Sequence, residues 1–363
     1  MNGTSRAAVL EAPERLVMRE FPLPVIGPDE GLLRIEMAGV CGTDWKYFSG
    51  KLTNAIPLIL GHEILGRVAE IGDRAAEKYG VAVGDRVLVE GSVPCWSCGR
   101  CRSGEYRFCQ RKNGYGLNTS STKPPHIWGA MSEYMYLAPG SILHKITPRV
   151  PAGTAMAAAL LANGIEWLRD RGGVTIGDDV VIQGCGPQGL AATVIAREVG
   201  ARRVIVTGLA RDTARLALAS RLGATDVVIA DQTDVEARVR ELTGGRMADV
   251  CLDVSGSAVA TPVSIKLVRT LGTVVLAGLA GKDAIAQMPM DHIVWNEIRI
   301  QGVYVKGEAA YSKAIDFIET RAAEYPVNEI VSHTFPLDRA EDAIRAAAGQ
   351  NMPPGFVKAA IVP

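Results

Sequence analysis

The sequence has no excess of charge of either sign and no long apolar run. Its 363 residues contain 39 Lys and Arg against 39 Asp and Glu, so the formal net charge is zero. Proteins that bind nucleic acids usually carry an excess of Lys and Arg that neutralises the phosphate backbone. This chain has no such excess, so we expect no nucleic-acid partner. The longest uncharged run of membrane-like composition, 150–165, includes Pro151 and Asn163 and is shorter than the roughly 20 apolar residues of a membrane-spanning helix. We therefore expect no membrane association.

The content of glycine, proline and cysteine and the polar first residues exclude further classes of protein. The 39 Gly and 19 Pro are too few for a low-complexity chain. The first residues are polar and carry a charge, without the apolar core of a secretory signal, which predicts a cytoplasmic protein. The seven cysteines are an odd number, and four of them lie within a stretch of 15 residues. Without an export signal, this crowding favours metal ligation over a disulfide framework.

The pattern of apolar residues predicts two domains of different kinds. Up to about Pro148, short β-like runs alternate with Gly, Pro and Asp, which indicates a β-rich domain. From about Pro151, apolar strands alternate with helical segments in units of roughly 25 to 30 residues, the rhythm of βαβ repeats on a doubly wound parallel sheet. Strands are predicted at 179–183, 203–206, 226–229, 249–254 and 273–277, and helices at 190–199, 212–222, 235–242 and 258–270.

The crowded cysteines have the spacing of metal ligands. Their pattern is C-x2-C-x2-C-x7-C, formed by Cys95, Cys98, Cys101 and Cys109. Four thiolates at these spacings allow one loop to wrap a tetrahedral ion, and a closed site of this kind holds structural zinc that fixes the loop and performs no chemistry. An iron–sulfur cluster, which also takes four thiolates, and four unliganded thiols are the alternatives at this point.

A glycine-rich turn follows the predicted strand at 179–183 and opens a helix. It has the form G-x-G-x-x-G and consists of Gly184, Cys185, Gly186, Pro187, Gln188 and Gly189. The glycines allow a tight turn and close backbone approach, so a pyrophosphate can sit at the helix N-terminus, where unpaired N–H groups and the helix dipole favour anions. The sequence therefore predicts NAD or NADP binding here, with a tight turn that holds no ligand as the alternative.

The end of the next strand bears on which dinucleotide fits. NAD-binding proteins carry an acid at this position that accepts a hydrogen bond from the ribose 2′-hydroxyl, but here the strand ends at Gly208. Arg211 follows three residues later and is suited to hold a 2′-phosphate, so the sequence favours NADP over NAD. Asp212 weakens this preference, since it could turn to the ribose, although it is also suited to cap the next helix.

Two motifs in the first domain supply further metal-binding groups. Cys41 begins Cys-Gly-Thr-Asp after an apolar strand, and His62 and Glu63 lie in the motif Gly-His-Glu-x2-Gly-x5-Gly. Taken singly, such a cysteine or histidine is most often a packed or hydrogen-bonded core group. Together they offer a thiolate, an imidazole and a carboxylate to one ion.

This set of motifs resembles the medium-chain dehydrogenase/reductase superfamily, in particular its zinc-containing alcohol, polyol and threonine dehydrogenases. The likeness spans nearly the whole chain and includes Gly-Asp-Arg-Val at 84–87 and the segment near Gly302. It implies an α/β protein whose doubly wound Rossmann domain, 150–294, is inserted into a GroES-like β-rich catalytic domain. That catalytic domain would comprise 1–149, with the four-cysteine lobe, and 295–363. The resemblance also implies a homodimer or homotetramer.

The resemblance assigns roles to individual residues. Cys41 and His62 would ligate a catalytic zinc, and Glu63 would be a near or exchanging ligand. Thr43 would pass a proton between the substrate oxygen and solvent, and Gly278 would line the dinucleotide site. Zinc as a Lewis acid lowers the pKa of an alcohol while a hydride passes to the nicotinamide. The expected activity is NAD(P)-dependent interconversion of a secondary alcohol or polyol and its ketone.

Two positions depart from the family pattern. Ala162 stands where relatives carry the third zinc ligand, and an alanine cannot bind zinc. A catalytic zinc usually has three protein ligands, so Glu63 is the favoured third ligand, with Asn163, Glu166 and a weak or empty site as alternatives. Lys46 stands where many relatives carry a relay histidine, and we interpret it as a solvated surface lysine.

Two other functions are compatible with parts of this pattern. The missing ligand at Ala162 is consistent with a zinc-independent, NADPH-dependent reductase of enones or quinones, but Cys41, His62 and Glu63 would then be idle. A non-catalytic dinucleotide-binding sensor on the same scaffold is the third interpretation. Thr43 and Asp44 argue against it, because a carboxylate such as Asp44 is suited to orient a ligating histidine.

Overall fold

In a computed structural model of the protein, which describes residues 3–281 and 283–363, the chain divides into two compact units. The first contains the residues up to Met156 together with Val331–Pro363, and the second is Ala157–Ile330. Residues 1, 2 and 282, which fall within the expected domains, lie outside the described residues. The second unit ends at Ile330 instead of the expected 294, because its sheet and helices continue beyond that point.

The strands and helices follow one another along the whole chain. The strands are β1 (Thr4–Ala12), β2 (Arg15–Pro22), β3 (Gly31–Gly39), β4 (Leu58–Ile59), β5 (Glu63–Ile71), β6 (Arg86–Val89), β7 (Tyr134–Leu137), β8 (Leu143–Lys145), β9 (Asp179–Gln183), β10 (Arg203–Gly208), β11 (Asp226–Ile229), β12 (Ala248–Asp253), β13 (Val268–Leu276), β14 (Arg299–Gly302), β15 (His333–Pro336) and β16 (Ala359–Val362). The α-helices are α1 (Gly42–Phe48), α2 (Asp73–Tyr79), α3 (Gly99–Arg102), α4 (Ala152–Met156), α5 (Ala158–Gly164), α6 (Pro187–Glu198), α7 (Thr213–Arg221), α8 (Val235–Leu242), α9 (Ala260–Lys266), α10 (Met290–Trp295), α11 (Glu308–Thr320) and α12 (Ala340–Ala347).

Short segments of other helix types connect these elements. A π-helix follows α5 directly and spans Ile165–Arg171. Single 3₁₀ turns lie at Tyr106–Phe108, Ala210–Asp212, Ala322–Glu324, Val327–Glu329 and Leu337–Arg339.

The first unit is built from two β-sheets. One has three strands in the order β2-β1-β4, and the other has the order β15-β16-β3-β5-β6-β8 with β7 paired to β3. In the larger sheet, Gly39 at the end of β3 pairs with Glu63 at the start of β5 and with Ala360 of β16. This register brings three distant segments together at one end of the sheet: the turn that follows β3, the start of β5 and the start of β16.

The second unit contains a parallel sheet of six strands. Their order is β11-β10-β9-β12-β13-β14, and all five pairs are parallel. The central strand β9 is buried along its whole length, as expected for an apolar strand covered on both faces. Numbered within the unit, the order is 3-2-1-4-5-6, the doubly wound arrangement that binds dinucleotides where the strand order reverses. The predicted α/β fold with a doubly wound parallel sheet is confirmed.

One predicted helix in this unit is wrong in its extent. The sequence indicates a helix over 258–270, but α9 ends at Lys266 and β13 begins two residues later. Val268 already pairs with Ala248, and a bulge follows in which Leu271 takes a left-handed conformation with φ of 63°. The bulge interrupts the alternation along β13, so its first half does not have the pattern of a strand.

The second unit also extends further along the chain than expected. β14 adds a sixth parallel strand to the sheet beside β13, and α11 packs against α5. Both elements lie beyond 294, where the return to the catalytic domain was expected. In the described part of the chain, no helix combines the length and apolar character that crossing a bilayer requires.

Candidate active site and dinucleotide site

The end of the large sheet in the first unit gathers three groups that can bind a metal. Cys41 caps the N-terminus of α1, directly after β3, while His62 precedes β5 and Glu63 begins it. One ligand atom from each of the three residues lies within 4.8 Å of the other two. The structure therefore brings together the three residues that the sequence assigned to a catalytic metal.

Asp44 lies beneath this cluster and is fully buried. Its carboxylate accepts hydrogen bonds from the backbone N–H groups of Cys41, at 2.8 Å, and Gly61, at 3.4 Å. Its Oδ1 also lies 3.5 Å from Nδ1 of His62, which is an ion-pair distance but not a hydrogen bond. Asp44 thus fixes the backbone on both sides of the cluster and places a negative charge beside the imidazole.

The charges of the cluster shift the pKa values of its members. Burial alone would lower the pKa of His62, but the negative charge of Asp44 outweighs it and raises that pKa well above its ordinary value. Burial likewise opposes ionisation of Cys41, yet contact with His62 lowers the pKa of the thiol. This shift makes the thiolate of Cys41, the form that binds metals, easier to form than that of an ordinary cysteine.

Lys358, just before β16, is a member of this site that the sequence analysis missed. Its side chain is 3% exposed, and its Nζ donates a hydrogen bond to the carbonyl oxygen of Val40 at 2.8 Å. The same Nζ lies 2.8 Å from Oε2 of Glu63. Gly39 leaves room for this pair, because a Cβ there would lie 2.1 Å from Oε2 of Glu63. A lysine inside the apolar run Phe-Val-Lys-Ala-Ala-Ile-Val was the available signal.

The donor set and the charge of the cluster both fit a zinc ion. Sulfur, nitrogen and oxygen donors are the ligand types that zinc takes in catalytic sites. The three donors also lie together, with one ligand atom of each within 4.8 Å of the other two. A Cys41 thiolate with the Asp44 and Glu63 carboxylates carries three negative charges, which a divalent cation and the Lys358 ammonium would balance.

The alternative third ligands have partners inside the second unit. Asn163 accepts a hydrogen bond from the backbone N–H of Lys306 at 2.9 Å and donates one to Oε1 of Gln188 at 3.3 Å. Glu166 accepts one from Nε of Arg171 at 2.9 Å. Ala162 is fully buried in α5. Glu63, the favoured third ligand, is the residue that lies with Cys41 and His62.

Thr43 lies at the edge of the cluster. Sγ of Cys41 lies 3.8 Å from Oγ1 of Thr43, and the threonine is partly exposed. A hydroxyl in this place can accept a proton from an oxygen at the metal and pass it to water. Lys46 lies one turn further along α1 and is also partly exposed.

The four cysteines of the first unit form a second, separate cluster. One Sγ atom from each of Cys95, Cys98, Cys101 and Cys109 lies within 4.8 Å of the others, around the short helix α3. The backbone N–H of Cys95 points to Sγ of Cys109 at 3.3 Å, and that of Cys98 to Sγ of Cys95 at 3.4 Å. Hydrogen bonds, first of all with Ser97, lower the pKa of Cys95 to about 5. Such donors stabilise thiolates, as a closed metal site requires.

The glycine-rich turn of the second unit has the geometry of a dinucleotide site. Gly184 has φ of 106°, and a Cβ at Gly189 would lie 1.9 Å from the carbonyl oxygen of Gly184, so both positions require glycine. Gly186 caps the N-terminus of α6 and Pro187 occupies its first turn. A Cβ at Gly186 would meet nothing within 4 Å, so this glycine faces open space at the end of the helix, where a pyrophosphate would bind.

The ends of the neighbouring strands, like the glycine-rich turn, present backbone without side chains. A Cβ at Gly278, after β13, would lie 2.4 Å from the backbone nitrogen of Gly256, after β12. A Cβ at Gly184, after β9, would lie 3.1 Å from Ser255. The three strands thus end in backbone packed on backbone at the point where the strand order reverses, which fits the close approach of a dinucleotide. Gly208 ends the next strand, β10, and Arg211 is exposed beyond it.

Comparisons with known proteins agree with both parts of this geometry. Residues 27–148 match the family model described as alcohol dehydrogenase GroES-like domain, and residues 187–320 match the model described as zinc-binding dehydrogenase. A probable alcohol dehydrogenase of Mycobacterium tuberculosis is 40% identical over 356 residues, which cover 95% of each chain. An erythritol/L-threitol dehydrogenase of Mycolicibacterium smegmatis is 34% identical, over 92% of this chain and 91% of the relative.

A solved structure shares the fold over the whole chain. The zinc-binding dehydrogenase of Sinorhizobium meliloti, bound to NADP, superposes with a TM-score of 0.88 and is 25% identical, covering 99% of this chain and 100% of that one. Together with the matched domains and the cluster at Cys41, these relatives show that the chain belongs to the zinc-type alcohol dehydrogenases of the medium-chain dehydrogenase/reductase superfamily, enzymes of NAD(P)-dependent alcohol oxidoreduction.

Proposed function

We propose that this enzyme is a zinc-dependent dehydrogenase of secondary alcohols or polyols, with Cys41, His62 and Glu63 as the ligands of the catalytic metal. The observation that carries the proposal is the convergence of these three donors, one ligand atom of each lying within 4.8 Å of the other two. Three protein ligands leave a position for the substrate oxygen. The four-cysteine cluster would hold a second zinc ion, with a structural role.

The chain's own residues divide the work of the reaction. When bound, zinc would supply a Lewis acid that lowers the pKa of the substrate hydroxyl, and the nicotinamide would supply the acceptor for the hydride of the carbinol carbon. The hydroxyl of Thr43 receives the substrate proton and passes it to solvent. Asp44 orients His62, and Lys358 holds the Glu63 carboxylate beside the other two ligands. The glycine-rich turn binds the pyrophosphate at the N-terminus of α6.

The substrate class follows from the relatives. The Mycolicibacterium smegmatis relative bears the name erythritol/L-threitol dehydrogenase, and it is similar to this chain over more than nine-tenths of both lengths. We therefore propose a small polyol or a simple secondary alcohol as the substrate, with the corresponding ketone as product.

The choice between NAD and NADP depends on the loop that follows β10. The sequence favours NADP because Gly208 supplies no acid and Arg211 is near, and this preference stays a prediction. The Sinorhizobium meliloti structure binds NADP. The contacts of Asp212 in the same loop support the opposite choice.

The oligomeric state that we propose is a homodimer. β14 is the edge strand of the parallel sheet, and α10, which precedes it, exposes Met290, Val294 and Trp295, the last of them 80% exposed. An open strand edge beside exposed apolar side chains marks an association surface. Trp295→Glu should therefore halve the molar mass measured by light scattering, and an unchanged mass would exclude this surface as the interface.

Metal content tests the proposal directly. Elemental analysis of protein purified without chelator should give about two zinc ions per chain, falling to about one in Cys41→Ala. In addition, the wild type should reduce NAD or NADP in the presence of a polyol. One zinc ion in both proteins, after zinc has been added back, would contradict a metal at Cys41 and would favour a zinc-independent reductase.

A further inference from the structure

The strand end at Gly208 cannot present a side chain to a dinucleotide. Thr207 pairs with Gln183, so β10 ends beside the glycine-rich turn. A Cβ at Gly208 would lie 2.5 Å from Sγ of Cys185, the second residue of that turn, and 3.0 Å from Cδ2 of Leu216. Because these atoms fill the space, an acid could not take the usual ribose-binding place without displacing buried neighbours.

The carboxylate of Asp212, in the loop between β10 and α7, folds back towards the end of β10. Its Oδ2 accepts a hydrogen bond from the backbone N–H of Leu209 at 3.2 Å, and its own N–H donates to the Leu209 carbonyl at 2.8 Å. Leu209 directly follows Gly208, so the carboxylate of Asp212 lies against the end of β10. Its side chain is 17% exposed, which leaves it reachable from solvent.

Two neighbours of this carboxylate, Arg215 and Cys185, bear on its orientation and its surroundings. Nη1 of Arg215 lies 3.1 Å from Oδ1 of Asp212 and fixes the orientation of the carboxylate. Burial and, to a smaller extent, the negative charge of Asp212 raise the pKa of the Cys185 thiol to about 11, while the charge of Arg215 opposes them. The charge of Asp212 therefore acts on a residue of the glycine-rich turn. A carboxylate has about four acceptor sites, and these contacts use two of them.

We propose that Asp212 takes the part of the missing acid at Gly208: its carboxylate accepts a hydrogen bond from the ribose 2′-hydroxyl of NAD and repels the 2′-phosphate of NADP. The proposal rests on the dinucleotide-dependent function proposed above and names the cofactor that this function uses. Arg215 orients the carboxylate and offsets part of its charge. Arg211 is exposed on the same loop.

A purely structural role for Asp212 predicts a different result from this specificity role. Asp212 precedes α7 and holds the 3₁₀ turn Ala210–Asp212, so its loss could loosen the loop. Asp212→Asn keeps an oxygen that can accept from Leu209 and removes the charge. Asp231 offers a matched control, because its Oδ1 accepts from the backbone N–H of Ala210 in the same loop at 2.9 Å, and Asp231 is exposed.

The experiment is a fluorescence titration of the zinc-loaded enzyme with NADH and with NADPH, in the absence of substrate. The wild type should bind NADH at least about tenfold more tightly than NADPH, as expected for one charged hydrogen bond gained and one repulsion avoided. Asp212→Asn should shift the ratio of the two dissociation constants at least about tenfold towards NADPH. Asp231→Asn should leave the ratio unchanged within about twofold.

Each other result has a distinct meaning. A wild type that prefers NADPH, or an unchanged ratio in Asp212→Asn, would overturn the role of Asp212. Equal shifts in both variants would also overturn it, in favour of an effect of loop structure. If the wild type bound neither nucleotide, the proposed function itself would fail, whatever the variants did. Competition by 5′-AMP against 2′,5′-ADP should reproduce the ratio, since these probes differ only in the 2′-phosphate.

Discussion

The metal cluster of the first unit and the dinucleotide site of the second unit are built in opposite ways. In the first unit the metal cluster consists of buried charged side chains: Cys41, His62 and Glu63, with Asp44 and Lys358 against them. In the second unit the dinucleotide surface consists of positions without side chains, where strand ends lie backbone against backbone. The metal cluster should therefore lose its function when a side chain is removed, and the dinucleotide site when one is added.

The largest expected effect is that of Cys41→Ser. Loss of the thiolate should empty the catalytic metal site and lower turnover by about a thousandfold or more. The reason is that the metal would stabilise the charge developing in the transition state by several kcal/mol. Steady-state kinetics with a polyol and elemental analysis of zinc measure the two effects together.

The four-cysteine cluster supplies the matched control. Cys98→Ser should also lose about one zinc ion per chain, but turnover per folded molecule should change by less than about threefold, because a closed four-thiolate site leaves no position for substrate. Similar losses of turnover in both variants would remove the distinction between a catalytic and a structural metal.

The next largest effect should come from Lys358→Met. Removal of the ammonium leaves the Glu63 carboxylate buried without its ion-pair partner, a change that typically costs about 3–5 kcal/mol of folding free energy. The thermal midpoint should fall, and it should fall less with zinc bound, because the metal then supplies positive charge to Glu63. Differential scanning calorimetry with and without chelator measures both.

A double variant tests whether the stability lost in Lys358→Met comes from the ion pair with Glu63. Lys358→Met combined with Glu63→Gln removes both charges, so it should be more stable than Lys358→Met alone when both are measured without zinc. Equal stability of the single and double variants would mean that the ion pair contributes nothing and that Lys358 acts through its hydrogen bond to Val40.

Thr43→Ala should have a smaller effect, confined to turnover. A positioned proton carrier contributes typically 10²–10⁴-fold, so turnover should fall by about a hundredfold, while the dissociation constant for the dinucleotide stays unchanged. Thr43→Ser keeps the hydroxyl and should retain most of the activity. If Thr43→Ala turned over at the wild-type rate, the proton would have to leave by another route.

The sequence predicted the parts of this molecule whose residues are near one another along the chain. The four cysteines lie within 15 residues, and the turn from Gly184 to Gly189 directly follows β9, whose predicted bounds are those of the structure. The doubly wound order could also be expected, because βαβ units alternate regularly. Local spacing was therefore enough to locate the four-cysteine cluster and the glycine-rich turn.

What the sequence did not reveal depends on pairings between distant segments. Lys358 reaches the carbonyl of Val40, 318 positions away, because β16 pairs with the end of β3. The boundary at Ile330 depends on β14 joining β13, and the end of α9 depends on a bulge fixed by pairing with β12. A contact made by tertiary pairing leaves no periodic pattern in the segments that form it.

The smallest effects should come from adding one methyl group to the glycine-rich turn. They distinguish a glycine that the packing of the fold requires from one that leaves space for the ligand. In Gly189→Ala the new Cβ would lie 1.9 Å from the Gly184 carbonyl oxygen, so the fold itself must shift, at a cost of about 1–3 kcal/mol. In Gly186→Ala the Cβ meets no protein atom within 4 Å, so the thermal midpoint should stay unchanged. NADH binding should nevertheless weaken about tenfold, because the methyl group occupies the space of the pyrophosphate. A Gly186→Ala protein that bound NADH normally would show that the open side of this turn does not face the ligand, and the contrast between a site of side chains and a site of bare backbone would then hold for packing alone.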